Sequence, residues 1–311
     1  NKWTLPTTSD GKLSVRVGAG GLGSQEGNNG INEKSESEMR GESSFIGIDL
    51  SNYYQVTEDL SNYGDSDSIA TDGSYLQAIG GGGGACARNT GRSGGLDGSS
   101  GGGAAKGSTA GTPRGGTGLY SESTNLAKTH GFDGGSLSNS DPASTYLGGG
   151  GGGAGGSGES TPPDWNGGDG GVGKTTTIAG NPLHLSGGGG GGIRNFSGSQ
   201  NVVRGFGGTG PGGTSSDGDQ FGAGRGYVSD HNTTFSSLSG ESNSGGGGGG
   251  GARFDLSGSD GGSGIVIVRY TIPPTPVILD NQCSNSGLPD GVTAVPSSGN
   301  CVVEFRKPGI D

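Results

Sequence analysis

Runs of glycine constrain this chain more than any other feature of its sequence. The runs occupy residues 80–84, 148–153, 187–192 and 245–251, with a shorter one at 101–103. A glycine inside a helix or strand costs about 0.5–1 kcal/mol relative to alanine, so six in succession would destabilise either element. Flexible linkers are one alternative, but the segments between the runs hold too few apolar residues to form domains of their own.

The extended threefold helix is the ordered conformation that suits such runs. It has three residues per turn and a rise of about 3.1 Å, and its amides and carbonyls point away from the axis. Because glycine lets backbones approach closely, hydrogen bonds between neighbouring helices can replace side-chain packing. A six-residue run would span about 18 Å. We therefore expect a bundle of polyglycine II helices over residues 80–261, joined by polar loops and short glycine-containing segments.

Strand patterns lie mainly near the two ends of the sequence. Residues 12–17 alternate apolar and polar side chains, and two further strand-like segments follow at 45–50 and 53–57. Residues 265–272 form a β-branched run that is closed by two prolines, which is typical of a buried strand. Helix patterns are almost absent, because Gly, Pro and Ser interrupt every possible helical period.

These patterns predict a mainly β and irregular fold with almost no α-helix. We expect the first and last strands to pair in a small β-sandwich, into which the glycine-rich region is inserted. One domain would then cover residues 1–273, with its β unit formed by 1–79 and 262–272. Residues 274–311 are expected to form a small β-like C-terminal appendage.

Composition excludes several classes of function. Of 311 residues, 79 are Gly and 13 are Pro, and only 26% are hydrophobic, which is too few for the core of a conventional enzyme. The net charge of −11 argues against binding to nucleic-acid phosphates. The sequence has no run of 18 apolar residues, so we expect no membrane span. Because no catalytic or cofactor-binding constellation is present, we expect that the chain is not an enzyme and needs no cofactor.

One segment, Gly168–Thr175, matches the phosphate-loop motif letter for letter. That motif binds nucleotides where an apolar strand precedes it and a helix follows it. Here residues 160–166 contain two prolines, and Gly180, Pro182 and the later glycine run exclude a helix of useful length. We expect no nucleotide binding.

The histidines and the acidic residues do not form a metal-site pattern. The three histidines lie far apart, each without a nearby Cys or His, at positions His130, His184 and His231. The acidic pairs at 65–67 and 217–219 do not complete a twelve-residue calcium loop. We interpret these carboxylates as solvated loop charge, with calcium binding as the alternative, and His184 as a packing or rim residue.

The three cysteines predict one disulfide. Cys283 and Cys301 bracket a short loop rich in Gly, Pro and Ser, and a bond between them would stabilise the fold by about 3 kcal/mol. Such a bond fits an oxidising, extracellular setting. Cys86 directly follows a glycine run and is expected either to be buried or to pair between subunits. Asn195 and Asn232 begin glycosylation sequons, which matter only in a cell that glycosylates them.

The sequence resembles a known family at both ends of its glycine-rich region. It opens with Trp3-Thr4-Leu5-Pro6 and a valine-rich strand leading into Val17-Gly18-Ala19-Gly20-Gly21, and it closes with Gly261-Gly262-Ser263-Gly264-Ile265-Val266-Ile267-Val268-Arg269-Tyr270. Over residues 1–272 it looks like the glycine-rich domain of phage and bacterial surface proteins. A similar module occurs in the ectodomain of the anaplastic lymphoma kinase receptor, and it implies a jelly-roll-like β unit that carries polyglycine helices. Tail-fibre tip adhesins of some T-even-like phages also use such bundles, with receptor-contacting loops at one end.

The resemblance favours an extracellular, cell-surface or virion structural role over an enzymatic activity. We expect a subunit of a surface fibre, filament or virion appendage that self-associates, by strand addition at the N-terminal strand or the C-terminal appendage. The alternative is a phage tail-fibre tip or cell-surface adhesin that binds a host glycan or an outer-membrane protein. Its candidate partner-contact residues are the loop aromatics Tyr120, Trp165, Phe196, Phe206, Phe221 and Tyr227. A chain that begins at Asn1 is also expected to be a processed or partial product.

Overall fold

The computed structural model describes residues 13–23, 36–47, 75–85, 94–105, 114–118, 131–137, 145–161, 166–195, 228–229, 234–235, 239–250, 258–271, 283, 285, 288, 290–297 and 300–306. Within these ranges the chain consists of strands and extended irregular segments, with one short helix, α1 (Glu36–Met39). The expectation of a mainly β and irregular fold with almost no α-helix is confirmed for these residues.

Twelve strands form four small sheets within the described ranges. The strands are β1 (Ser14–Arg16), β2 (Ser44–Gly47), β3 (Tyr75–Ala78), β4 (Thr145–Leu147), β5 (Lys174–Thr176), β6 (Leu183–Leu185), β7 (Ile193–Asn195), β8 (Val228–Ser229), β9 (Thr234–Phe235), β10 (Ile265–Thr271), β11 (Val292–Ser297) and β12 (Asn300–Arg306). The strand orders are β1-β2-β3, β10-β12-β11, β4-β7-β8-β9 and β5-β6. Neighbouring strands are antiparallel except β7 and β8, which are parallel.

The strand that closes the glycine-rich region pairs with the C-terminal residues. β10 runs antiparallel to β12 over seven residues, with Val268 opposite Val303. Among the described residues β1 pairs with β2 and not with β10, which differs from the expected pairing of the first and last strands. The physical reason is length and side-chain match: β1 offers three residues, whereas β12 offers seven, with apolar partners for the valines of β10. The predicted domain boundary at residue 273 remains a prediction.

Extended segments outside the strands, which we call threads, lie between the sheets. They comprise residues 17–23, 40–43, 79–85, 94–98, 99–105, 114–118, 131–137, 148–154, 155–161, 166–173, 186–192, 245–250 and 258–264. Backbone hydrogen bonds join them to one another, and the two partners are in many cases far apart in the sequence. We call the threads and these bonds the thread network.

The threads run side by side between two ends of the molecule. Thread 148–154 begins directly after β4, and thread 186–192 ends directly before β7. The two threads are antiparallel, because Gly148 donates to Gly192 at one end and Ala154 donates to Ser186 at the other. We call the first of these the β4 end. The second is the β10 end, because thread 258–264 runs into β10 there.

In the described part of the chain, buried apolar side chains form small clusters. One cluster lies at the β4 end and contains Ala104, Leu137, Leu147 and Ile193. Leu147 and Ile193 are 1% and 0% exposed. Between the two ends, glycine-rich threads offer few side chains to pack, so backbone hydrogen bonds must supply the order there.

Candidate functional site

Thread 148–154 shows how the threads are joined. Its amides fall into three groups, and the members of one group are three residues apart. Each group donates hydrogen bonds to a single neighbouring thread, with N···O distances of 2.8–2.9 Å. Gly148, Gly151 and Ala154 donate to thread 186–192, Gly149 and Gly152 to thread 99–105, and Gly150 and Gly153 to thread 155–161. Donors three residues apart therefore face the same neighbour.

The carbonyls of the same thread follow the same repeat and add two more neighbours. The Gly148 and Gly151 carbonyls accept hydrogen bonds from thread 166–173, and the Gly150 and Gly153 carbonyls accept hydrogen bonds from thread 131–137. Bonds also join each neighbour to the next around thread 148–154: Gly101 donates to Phe132, Gly158 to Asp133, Glu159 to Asp169, and Gly188 to Gly171. Five threads thus surround thread 148–154, except on the side between threads 99–105 and 186–192.

Two buried positions show why glycine is required in this network. A Cβ added at Gly150 would overlap the backbone carbonyl of Asp169, and one added at Gly152 would overlap that of Phe132. In each case the obstacle is backbone, which cannot move aside as a flexible side chain can. The absence of side chains is what permits threads to lie within hydrogen-bonding distance on several sides.

Acidic side chains accept hydrogen bonds from backbone amides at the rim of the network. Asp97 accepts from Thr117, Asp133 from Gly118, Asp260 from Gly23 and Glu42 from Ala19, over 2.6–3.2 Å. A hydrogen bond to a charged group is worth about 1.5–3 kcal/mol when its surroundings exclude water, and less at an exposed rim. Part of the negative charge of the chain therefore has a structural use that composition alone did not reveal.

A comparison with family models decides the relationship of this chain to known proteins. The model of a family described as "Glycine-rich domain" matches residues 1–271. The chain belongs to this family. No curated protein and no solved structure matches it. The thread network is the main structural feature of this glycine-rich domain.

The segment that matches the phosphate-loop motif has a different structure in this glycine-rich domain. Residues 166–173 form a thread, and Lys174–Thr176 form β5, which pairs with β6. A phosphate loop needs a helix at this point to direct its amides at a phosphate. His184 lies on the exposed surface of this hairpin, with its Nδ1 3.0 Å from Thr175 Oγ1. The motif is therefore followed by a strand and not by a helix, in agreement with the exclusion of a helix from the sequence.

The predicted disulfide joins Cys283 to Cys301, whose Cα atoms are 5.7 Å apart. Cys301 is 1% exposed in the central strand β12, so the bond fixes the segment around residue 283 to the sheet β10-β12-β11. Asn285 then accepts a hydrogen bond from the Ala294 amide through its Oδ1 at 2.6 Å. This contact occupies one amide of the edge strand β11.

Several predicted site residues lie outside the described ranges. They are Tyr120, Trp165, Phe196, Phe206, Phe221, Tyr227, Asn232, Cys86, His130, His231 and the acidic pairs at 65–67 and 217–219. Asn195 is described and is the last residue of β7, opposite Thr145. Within the described ranges there is no group of three His, Cys, Asp or Glu side chains that could hold a metal ion. No helix of those ranges is long and apolar enough to cross a membrane.

The two ends of the network differ in what is attached to them. Seven segments outside the described ranges are bounded on both sides by residues of the β4 end, namely 24–35, 86–93, 106–113, 138–144, 162–165, 196–227 and 251–257. By contrast, segment 119–130 is bounded by Gly118 and Gly131 at the β10 end, and segment 48–74 is bounded there by the paired strands β2 and β3. The sequence alone did not show this asymmetry, because it depends on the direction in which each thread runs.

Proposed function

We propose that the threads are polyglycine II helices and that strands β1, β2, β3 and β10 belong to a jelly-roll-like sandwich into which they are inserted. The three-residue repeat of the donors in thread 148–154 supports the first part, since a threefold helix has this period. The contact of β10 with β2 and the bond from the Gly264 amide to the Gly18 carbonyl (3.0 Å) support the second. We also propose that the domain is similar in fold to the phage surface domains and to the kinase-receptor ectodomain module that its sequence resembles.

The function that this arrangement supports best is structural. The protein would be a non-enzymatic extracellular subunit of a surface fibre, filament or virion appendage. The observation that carries this proposal is that backbone hydrogen bonds join thread 148–154 to five neighbouring threads. A body of this kind needs little apolar sequence, and proteases cannot bind a backbone whose amides are already paired. The disulfide between Cys283 and Cys301 fits the extracellular location.

Self-association would use an exposed sheet edge. β1 is an edge strand of the sheet β1-β2-β3, whereas the edge strand of the C-terminal appendage, β11, has its Ala294 amide occupied by Asn285. Strand addition is therefore favoured at β1.

Sedimentation and electron microscopy of the purified protein test the structural proposal. We expect oligomers or filaments that form at micromolar concentration and persist at high salt, because backbone pairing is not screened by ions. A protein that stays strictly monomeric, and that is not part of a larger chain, would refute it.

An adhesin is the second candidate function, and the asymmetry between the two ends favours it. Segments that begin and end at the β4 end could together present a binding surface there, as in a fibre tip that contacts a host glycan or an outer-membrane protein. Replacing residues 196–227 by a Gly-Ser linker should abolish binding in a cell-binding or glycan-array assay. The matched control replaces residues 119–130 at the opposite end and should leave binding unchanged. Equal loss in both variants would contradict the adhesin proposal.

A further inference from the structure

A cavity of about 300 Å³ lies inside the thread network. Its wall consists mostly of glycine residues, and every long glycine run contributes to it. The threads of the wall are joined to one another by hydrogen bonds in a nearly closed ring: 17–23, 258–264, 245–250, 186–192, 148–154, 99–105, 79–85 and 40–43. Gly81 and Gly84 line the cavity and are exposed, so it is open to solvent.

Several backbone groups of the wall have no partner among the described residues, and they include both carbonyls and amides. Thread 79–85 contributes the carbonyls of Gly82 and Ala85 and the amides of Gly81 and Gly84, and thread 99–105 contributes the amides of Ser100 and Gly103. The next two threads contribute such groups as well. Thread 148–154 contributes the carbonyls of Gly149 and Gly152, and thread 186–192 contributes the amides of Gly189 and Gly192.

The two groups of one kind on each thread are three residues apart, which corresponds to about 9 Å along an extended threefold chain. Such a chain presents amides and carbonyls alternately around its own circumference with the same repeat. At a spacing of about 4.8 Å between bonded backbones and a rise of about 3.1 Å, one such residue takes up roughly 60 Å³. The cavity therefore has room for several residues of one further thread.

We infer that this cavity is a binding site for an extended glycine-rich peptide segment, which it recognises through backbone hydrogen bonds alone. The wall supplies both donors and acceptors, at the three-residue repeat that such a segment has. Glycine is required in the ligand wherever its Cα faces the wall, for the same reason that it is required at Gly150. The inference depends on the hydrogen-bond pattern and not on whether the protein forms a fibre.

The test uses the full chain and a synthetic peptide of six glycines with a serine and a lysine at each end. The control peptide has the same ends around six N-methylglycines, which accept hydrogen bonds but cannot donate them. By titration calorimetry we expect the glycine peptide to bind about tenfold more tightly or better, because the control cannot donate to the Gly82, Ala85, Gly149 and Gly152 carbonyls. Hydrogen exchange should slow at Gly103, Gly189 and Gly192 when the glycine peptide is added.

Variants separate cavity binding from binding elsewhere. Gly84→Leu should abolish binding, because a Cβ there meets nothing closer than the Gly103 oxygen at 3.9 Å and the side chain can occupy the cavity. Gly81→Leu, one turn away, is the second variant if the first does not fold, and Thr177→Leu on the exposed hairpin is the matched control. Equal affinity for both peptides would overturn the inference. So would a failure of the glycine peptide to bind to a protein whose Gly148–Gly153 amides exchange slowly, since slow exchange shows that the thread network is formed. Rapid exchange at Gly148–Gly153 in the free protein would instead overturn the thread network itself.

Discussion

The amide of Gly151 donates to the carbonyl of Gly189 over 2.8 Å, and this bond joins two glycine runs that are well separated in the sequence. Both residues are glycines, so no side chain makes this pairing specific. The pairing is instead fixed by where each thread starts and ends, and thus by Leu147 and Ile193, the buried residues that bound the two threads at the β4 end. A few apolar residues at the end of the network therefore set the register of many backbone bonds.

A methyl group inside the network should be destabilising. Gly150→Ala is expected to lower the free energy of unfolding by about 1–3 kcal/mol, because its Cβ overlaps the Asp169 carbonyl. Gly81→Ala is the matched control, since the nearest atom to its Cβ is the Ser100 oxygen at 3.8 Å. Urea unfolding of both variants checks this. Equal losses of stability would show that the close approach of the threads is not what excludes side chains.

Removing the disulfide should affect one sheet and spare the thread network. Cys283→Ala combined with Cys301→Ala is expected to cost about 2–4 kcal/mol, because the unfolded chain regains the freedom that the closed loop removed. Amide exchange should accelerate in β10, β11 and β12 while thread 148–154 stays protected. The intact-disulfide variant Cys86→Ala serves as the control. Loss of protection in thread 148–154 would mean that the sheet and the network unfold together.

Neutralising an acidic rim residue should weaken the network slightly. Asp97→Asn keeps an oxygen near the Thr117 amide but removes its charge, so we expect a loss of at most about 1 kcal/mol. Asp133→Asn should act similarly through Gly118. Asp290→Asn, in the exposed turn before β11, is the control and should have no effect in thermal unfolding. A loss of the same size at Asp290 would point to net charge rather than to these hydrogen bonds.

Hydrogen exchange in thread 186–192 should show the three-residue repeat directly. Gly188 and Gly191 donate to thread 166–173, whereas Gly189 and Gly192 face the cavity without an acceptor in the described part of the chain. We therefore expect slow exchange at Gly188 and Gly191 and faster exchange at Gly189 and Gly192, measured by NMR on glycine-labelled protein. Uniform rates along the thread would contradict the assigned directions.

The mainly β and irregular fold with almost no α-helix could be predicted from the sequence, since glycine runs interrupt helices. The neighbours of each thread could not be predicted, because Gly150 and Gly188 are chemically identical and only the fold distinguishes their partners. The pairing of β10 with β12 was missed because period-two patterns identify strands but not their partners. The Cys283–Cys301 bond was predictable because few cysteines compete for it, and the acidic rim was not, because Asp97 and Thr117 share no local motif.

The repeat seen in thread 148–154 has a consequence for how such a protein can change in evolution. Inserting one residue into a single thread would turn every later amide by a third of a revolution, away from its acceptor. Inserting three would restore direction but leave that thread about 9 Å too long for those beside it. The distance between the β4 end and the β10 end can therefore grow only if all the threads lengthen together, whereas the connecting segments are free to vary in both length and sequence.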